Sequence, residues 1–208
     1  RPNQSGGTLM YDIGKILVAG GNTDRCHTID FNTNTPVVRE VSRMKFRRRF
    51  HNALMLPNGQ AIMIGGNTSG RAFNDTGSIM AAEMWDPKAN KWTELADMSI
   101  PRNYHSTALV LPDGRVYSGG GGLSGNNATD HPDAQIFTPP YHYNTNGVLA
   151  SRPSITNAPS ISKPGRTLYI TASTGVNRVT MIRMTSTTHS FSSDVRFLEV
   201  PFADRGQG

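Results

Sequence analysis

Short apolar runs separated by turn residues recur along the first two thirds of the chain. Residues 53–56 are apolar, a Pro-Asn-Gly turn follows, and a second apolar run occupies residues 61–64. The same frame returns at residues 108–111 and 115–118 around a Pro-Asp-Gly turn. Runs of this length bounded by proline and glycine are typical of β-hairpins, and no segment keeps a convincing helical period over three turns. The pattern predicts an all-β chain.

The hairpins repeat with a nearly constant spacing. Their turn glycines lie 45 and 55 residues apart, and each is followed six residues later by another glycine, giving the pairs Gly14 and Gly20, Gly59 and Gly65, and Gly114 and Gly120. In the middle copy, residues 81–87 and 90–95 add two strands, with Trp92 expected between blades. A period of about 50 residues matches the four-stranded kelch blade of a β-propeller. We predict three successive blades, the first of which begins inside its first hairpin.

The composition changes after the third glycine cluster. Residues 142–153 are polar and carry no strand pattern, and the β-rich stretches beyond residue 165 contain no Gly-Gly pair. These stretches predict a second all-β unit, most simply a sandwich. We therefore assign residues 1–149 to propeller blades and residues 150–208 to the start of the second domain. Three blades cannot close a propeller ring, so we expect the chain to be part of a larger protein.

Charge and composition narrow the range of partners. The net charge is +6 with a pI near 9.8, and much of the excess lies in residues 43–49. This cluster lacks the aromatic pattern of a base-stacking surface, so we predict a solvated basic loop and no nucleic-acid partner. The single cysteine, Cys26, excludes a disulfide within the chain and a Cys-rich zinc site. No apolar stretch reaches about 18 residues, so we expect no membrane span.

Candidate chemistry concentrates at Tyr104 and His105. None of the six histidines pairs with another at the spacing of a local helical metal motif. Adjacent strand residues point to opposite faces, so Tyr104 and His105 can bind one ion only where the strand bends or ends. Imidazole and oxygen donors together favour copper. The other interpretation is a histidine that caps a strand, and His51, which follows Phe50 in the preceding repeat, fits that description.

The surrounding sequence resembles the galactose-oxidase family of copper radical oxidases. The similarity lies in Arg-x-Tyr-His-Ser at residues 102–106, Leu-Pro-Asp-Gly-Arg-Val at residues 111–116, the glycines at 119–122 and the segment that begins at His131. The family implies a seven-bladed kelch propeller, of which these are the later blades, followed by an Ig-like β-sandwich. A loop of that sandwich reaches back through the propeller to supply one copper ligand.

The resemblance assigns roles to five residues. It makes Tyr104 the axial tyrosinate and the catalytic base, and it makes His105 and His189 the imidazole ligands of copper. Phe50 and Phe73 match aromatic positions that line the substrate pocket. The family's radical cofactor is a tyrosine cross-linked to a cysteine, and it would lie in early blades that this chain lacks. We therefore expect the segment to be inactive by itself.

The implied activity is the oxidation of a primary alcohol, a sugar or a similar molecule, to an aldehyde, with reduction of O2 to H2O2. The resemblance implies a secreted enzyme that is monomeric when full length, with this alcohol or carbohydrate and O2 as its partners. Two alternatives stay open. One is an aldehyde oxidase similar to glyoxal oxidase, with the same ligands and another pocket. The other is a non-catalytic kelch propeller that binds proteins and holds no metal.

Overall fold

Strands make up nearly all of the regular structure. The computed structural model describes residues 5–122, 130–173, 175–184 and 186–206. These ranges contain seventeen strands and one 3₁₀ turn at Pro140–His142. No helix in them is long and apolar enough to cross a membrane. The all-β class predicted from the sequence is confirmed.

Three antiparallel blades follow one another along the chain. The first contains β1 (Gly6–Asp12), β2 (Lys15–Gly20), β3 (Cys26–Asp30) and β4 (Val37–Val41). The second contains β5 (Asn52–Met55), β6 (Ala61–Ile64), β7 (Ala81–Asp86) and β8 (Lys91–Asp97). The described strands of the third are β9 (Ser106–Val110), β10 (Val116–Gly120) and β11 (Ala134–Phe137). In each blade successive strands pair, as in a propeller.

The first blade is more complete than the sequence predicts. Strand β1 pairs with β2 from Gly6 opposite Gly20 to Asp12 opposite Lys15, so the expectation that the chain begins inside this hairpin is wrong. A Cβ on Gly7 would lie 2.7 Å from Nε2 of His51, so this position is filled by glycine. Strand β1 begins with two glycines, and its apolar residues Leu9 and Met10 follow them.

The strands β5 and β6 of the second blade are buried on both faces. Met55 and Met63 pack in a cluster with the first blade, whereas Leu54 and Ile62 pack in a cluster with the third. Successive side chains of a strand point to opposite faces, so β5 and β6 each contribute to two interfaces, and residues 53–56 and 61–64 are continuously apolar. Burying each large apolar side chain contributes about 1.5–3 kcal/mol. Trp92 packs against the first cluster, as predicted.

A buried arginine stands at the same place before two of the blades. Arg48 donates to the carbonyl of Gly65 at 2.8 Å and to the carboxylate of Glu83 at 2.6 Å. Arg102 repeats these contacts with the Gly120 carbonyl at 3.0 Å and Asp133 at 2.7 Å. The prediction of a solvated basic loop is therefore wrong for Arg48, whose side chain is 0 % exposed. Both arginines stand four residues before the first described strand of their blade, β5 at Asn52 and β9 at Ser106.

A hairpin from the C-terminal part enters the propeller. Strand β15 (Ser186–Thr188) pairs antiparallel with β9, and β16 (Phe191–Ser192) pairs parallel with β1, so the first and third blades join in one nine-stranded sheet. The hydroxyl of Thr187, which is fully buried, donates to the Ala53 carbonyl at 2.9 Å. The hairpin thus contacts the innermost strands of all three blades, and residues 189 and 190 form its tip.

The remaining C-terminal strands form two pairs, one of which packs on the turn of the second blade. It contains β12 (Ile155–Asn157) paired with β13 (Thr171–Ala172), and β14 (Val179–Ile182) paired with β17 (Phe197–Val200). Thr180 and Arg178 donate to the carbonyls of Pro57 and Asn58, each at 2.8 Å. Phe197 joins the apolar cluster between the first two blades.

Candidate metal centre

Three rings that are distant in sequence meet at the tip of the inserted hairpin. The rings of Tyr104 and His105 stack with centroids 4.2 Å apart, and the ring of His189 lies 5.2 Å from each of them. Two imidazoles bound to one ion at metal–nitrogen distances of about 2 Å have centroids within about 6 Å of each other. No group of three or more His, Cys, Asp or Glu with metal-binding geometry occurs in the described part of the chain. A metal here would be held by two imidazoles and a phenol.

The backbone around these rings lies in a sparsely populated conformation. Strand β9 begins at Ser106, and His105 just before it has a φ of 66°. His189 and Ser190 at the hairpin tip have φ values of 53° and 66°. A positive φ in a residue other than glycine costs on the order of 1–3 kcal/mol and is concentrated at functional sites. The bend that Tyr104 and His105 need in order to bind one ion is present at this point.

The equivalent residues of the second blade show a different backbone. There the positive φ, 61°, falls on Phe50 and not on His51. His51 is fully buried, and its Nε2 accepts a hydrogen bond from the Gly7 N–H at 3.1 Å. Burial lowers the pKa of His51 to about 3, so the ring is neutral. His51 is a structural histidine, in line with the strand-capping interpretation.

One imidazole is oriented by the glycine run. Nδ1 of His105 lies 2.8 Å from the carbonyl oxygen of Gly122, which can only accept, so Nδ1 carries the proton, and the neutral ring in this tautomer has its lone pair on Nε2. The Gly122 N–H donates in turn to the Tyr104 carbonyl at 3.0 Å. Metal-binding histidines are commonly held by such a hydrogen bond on the other ring nitrogen. The donor set therefore fits a copper ion, which takes imidazole and oxygen ligands.

Two phenylalanines flank the three rings. The Phe50 and Phe73 rings each lie 5.2 Å from the Tyr104 ring, and Phe73 also lies 5.2 Å from the His105 ring, all edge to face. Both are only partly buried. All five residues singled out from the sequence thus lie in one cluster. His142 does not join it, because it is buried next to Tyr141 beyond the other end of β9.

Sequence reasoning missed the polar residues around this cluster. Asp75, Asn103 and His131 are linked by hydrogen bonds behind the Phe73 loop and the Tyr104 turn. Asp75 and Asn103 come from segments without strand periodicity, and His131 was noted only as part of the resemblance. No signal in a single sequence indicates that these three side chains meet.

Comparisons with known proteins identify the family. A model described as "Glyoxal oxidase N-terminus" matches residues 22–141, and one described as "Galactose oxidase-like, Early set domain" matches residues 152–208. The chain is 37% identical to galactose oxidase of Gibberella zeae over 97% of its own length, and 30% identical to aldehyde oxidase GLOX1 of Arabidopsis thaliana over 83%. The chain belongs to the copper radical oxidase family.

A solved structure extends the match to three dimensions. A fungal alcohol oxidase of the AA5 family in complex with copper superposes with a TM-score of 0.92 and 31% sequence identity, over 98% of this chain and 46% of that one. The propeller and the Ig-like fold of the second part are thereby confirmed. The chain spans about a third of the length of its curated relatives, 32% for galactose oxidase and 31% for GLOX1.

Proposed function

We propose that this chain provides the copper-binding half of the active site of an alcohol oxidase. The observation that supports it best is the meeting of Tyr104, His105 and His189 at the hairpin tip, with His105 Nε2 free to bind. When bound there, copper supplies a one-electron acceptor and a position for the substrate oxygen. In the overall reaction a primary alcohol loses two electrons and two protons to give an aldehyde, and O2 takes both to give H2O2.

The chain's own residues divide the remaining work. The Tyr104 oxygen, as a phenolate, accepts the hydroxyl proton of the alcohol. Phe50 and Phe73 form an apolar wall beside Tyr104 that excludes water and contacts the carbon atoms of the substrate. The Gly122 carbonyl keeps His105 in the orientation that presents Nε2. These three functions are carried by residues from two blades, and the inserted hairpin adds His189 as a ligand.

The test measures H2O2 production from a primary alcohol by the full-length, copper-loaded protein. Tyr104→Phe keeps the ring and removes the proton acceptor, so we expect a loss on the order of 10²–10⁴-fold in turnover. Tyr143→Phe is the matched control, because Tyr143 is 40% exposed and lies outside the ring cluster. Equal turnover in Tyr104→Phe and the wild type would overturn the proposal.

A second candidate is an aldehyde oxidase with the same metal centre. It is favoured by the match of the glyoxal oxidase model to residues 22–141 and by the similarity to the aldehyde oxidase of Arabidopsis thaliana. Comparing kcat/KM for primary alcohols and for the corresponding aldehydes separates the two. A higher value for aldehydes would make the second candidate the better description. A full-length protein with no copper binding and no oxidase activity would exclude both candidates and leave the non-catalytic propeller as the alternative.

A further inference from the structure

A single carboxylate connects the pocket wall with the turn that carries the candidate ligands. Asp75 lies two residues after Phe73, in the loop that follows β6. Its Oδ1 accepts from Asn103 Nδ2 at 2.8 Å, and its Oδ2 accepts from His131 Nε2 at 2.8 Å. In the described ranges no Lys or Arg forms an ion pair with Asp75. The two acceptor oxygens thus hold side chains from two different segments.

The hydrogen bond between Asp75 and Asn103 connects the carboxylate to the residue before Tyr104. Asn103 precedes Tyr104 in the chain and is only 5% exposed. Its Nδ2 also donates to Ser78 Oγ at 2.8 Å and to the Asn74 carbonyl at 3.3 Å, so the amide is enclosed by the pocket loop. Hydrogen bonds of the Asn103 side chain therefore hold the Phe73 loop against the Tyr104 turn.

The hydrogen bond between Asp75 and His131 connects the carboxylate to the glycine run next to Tyr104 and His105. The backbone N–H of His131 donates to the Gly121 carbonyl at 3.1 Å. The next residue, Gly122, accepts from His105 Nδ1 and donates to the Tyr104 carbonyl. Asp75 consequently has a hydrogen-bonded connection to each side of the Tyr104–His105 pair.

We infer that Asp75 is a positioning residue for the metal centre, acting through Asn103 and His131. Phe73 and His105 have φ values of 48° and 66°, a conformation that persists only where the surroundings hold it. Hydrogen bonds to a carboxylate are short and stronger than those between neutral groups, so they are suited to hold these two segments. Asp75 thereby fixes the position of the Phe73 loop relative to the turn of Tyr104 and His105. The inference rests on the proposed copper site.

The experiment compares Asp75→Ala with Asp113→Asn in the full-length protein. Asp113 also has two hydrogen-bonded oxygens, but it lies at the opposite end of β9, where it pairs with Arg115. Copper affinity is measured by titration, and the coordination is followed by the Cu(II) EPR spectrum. We expect Asp75→Ala to weaken copper binding by about 10–100-fold and to change the Cu(II) hyperfine splitting. Asp113→Asn is expected to change neither.

A second pair of variants keeps the test valid if Asp75→Ala folds poorly. His131→Gln retains an N–H donor for Asp75 and should keep the wild-type EPR spectrum and kcat, whereas His131→Phe removes the donor and should lower both copper affinity and kcat. The inference would be overturned if Asp75→Ala and His131→Phe kept the copper affinity and EPR spectrum of the wild type and only lowered the Tm, both with and without copper. The network would then only stabilise the loop. A wild-type protein that binds no copper would remove the proposed function and this inference with it.

Discussion

Tyr104 and His105 are neighbours in the sequence, and yet their rings stack on the same side of the chain with centroids 4.2 Å apart. Neighbours on a regular strand point to opposite faces. The positive φ of His105, immediately before β9, brings the two rings together. In the second blade the positive φ lies one residue earlier, on Phe50, and the following histidine is buried. The same sequence frame therefore gives a candidate site in one blade and a core residue in the other.

The first prediction concerns the histidines and copper. A ligand that binds only the folded state stabilises it by about 4 kcal/mol when present at a thousandfold excess over Kd. Replacing His105 or His189 by alanine should remove most of the copper-dependent rise in Tm of the full-length protein. Replacing His51 or His142 should lower the Tm without copper and leave the rise intact. Calorimetric scans with and without copper measure both effects, and equal copper shifts in all four variants would contradict the assignment.

The second prediction concerns the buried ion pair between Arg48 and Glu83. The two side chains are 0% and 1% exposed, so Glu83→Ala leaves an unpaired charge in the core. We expect the free energy of unfolding to fall by about 3–5 kcal/mol. Glu94→Ala is the control, because Glu94 pairs with Lys45 at 2.5 Å but is 41% exposed. Glu94→Ala should lower the free energy of unfolding by less than about 1 kcal/mol. Urea unfolding measures both variants, and equal losses would contradict the prediction that the buried pair matters more.

The third prediction is a pH dependence that originates at His51. Burial lowers its pKa to about 3, against about 6.5 in the unfolded chain. The unfolded state therefore binds more protons, so this contribution to stability is present above pH 6.5 and is lost as the pH falls towards 3. The expected slope is about 1.4 kcal/mol per pH unit.

His51→Gln provides the measurement of this slope. The glutamine oxygen can accept from the Gly7 N–H and does not titrate. Urea unfolding of both proteins between pH 5 and 7 isolates His51, since the carboxylate of Glu40, whose pKa is lowered to about 2 by Arg25, has its effect at lower pH. Identical slopes for the wild type and His51→Gln would show that His51 does not titrate on unfolding.

The sequence was sufficient for the hairpins, because residues 53–56 and 61–64 of the second blade are continuously apolar and the turn between them contains proline and glycine. It was insufficient for β1, because this strand begins with Gly6 and Gly7, and Gly7 fits the close approach of His51 and no strand pattern. The meeting of His105 with His189 followed only from the resemblance, since 84 residues separate them. The link from Asp75 to His131 was not predictable, because it depends on how two loops without periodic pattern fold onto each other.

The last prediction separates the cost of a left-handed backbone from the cost of a steric clash at Gly65, which follows β6. Gly65 has a φ of 73°, and a Cβ added to it would lie 2.1 Å from the Arg102 carbonyl oxygen. Gly147 has a φ of 74° with nothing within 4 Å of such a Cβ. Gly147→Ala should therefore lower the free energy of unfolding by about 1–2 kcal/mol, the cost of the left-handed conformation alone. Gly65→Ala adds a clash with the backbone, so it should lower the free energy of unfolding by clearly more.

Denaturant midpoints of the two alanine variants give this comparison directly. The Arg102 carbonyl also accepts from the Gly66 N–H at 2.7 Å, so a shift at Gly65 moves the segment that leads to Tyr104. We therefore expect Gly65→Ala, and not Gly147→Ala, to weaken copper binding in the full-length protein. Equal losses of stability in both variants, with unchanged copper affinity, would show that the close approach between the second and third blades does not position the ligand turn.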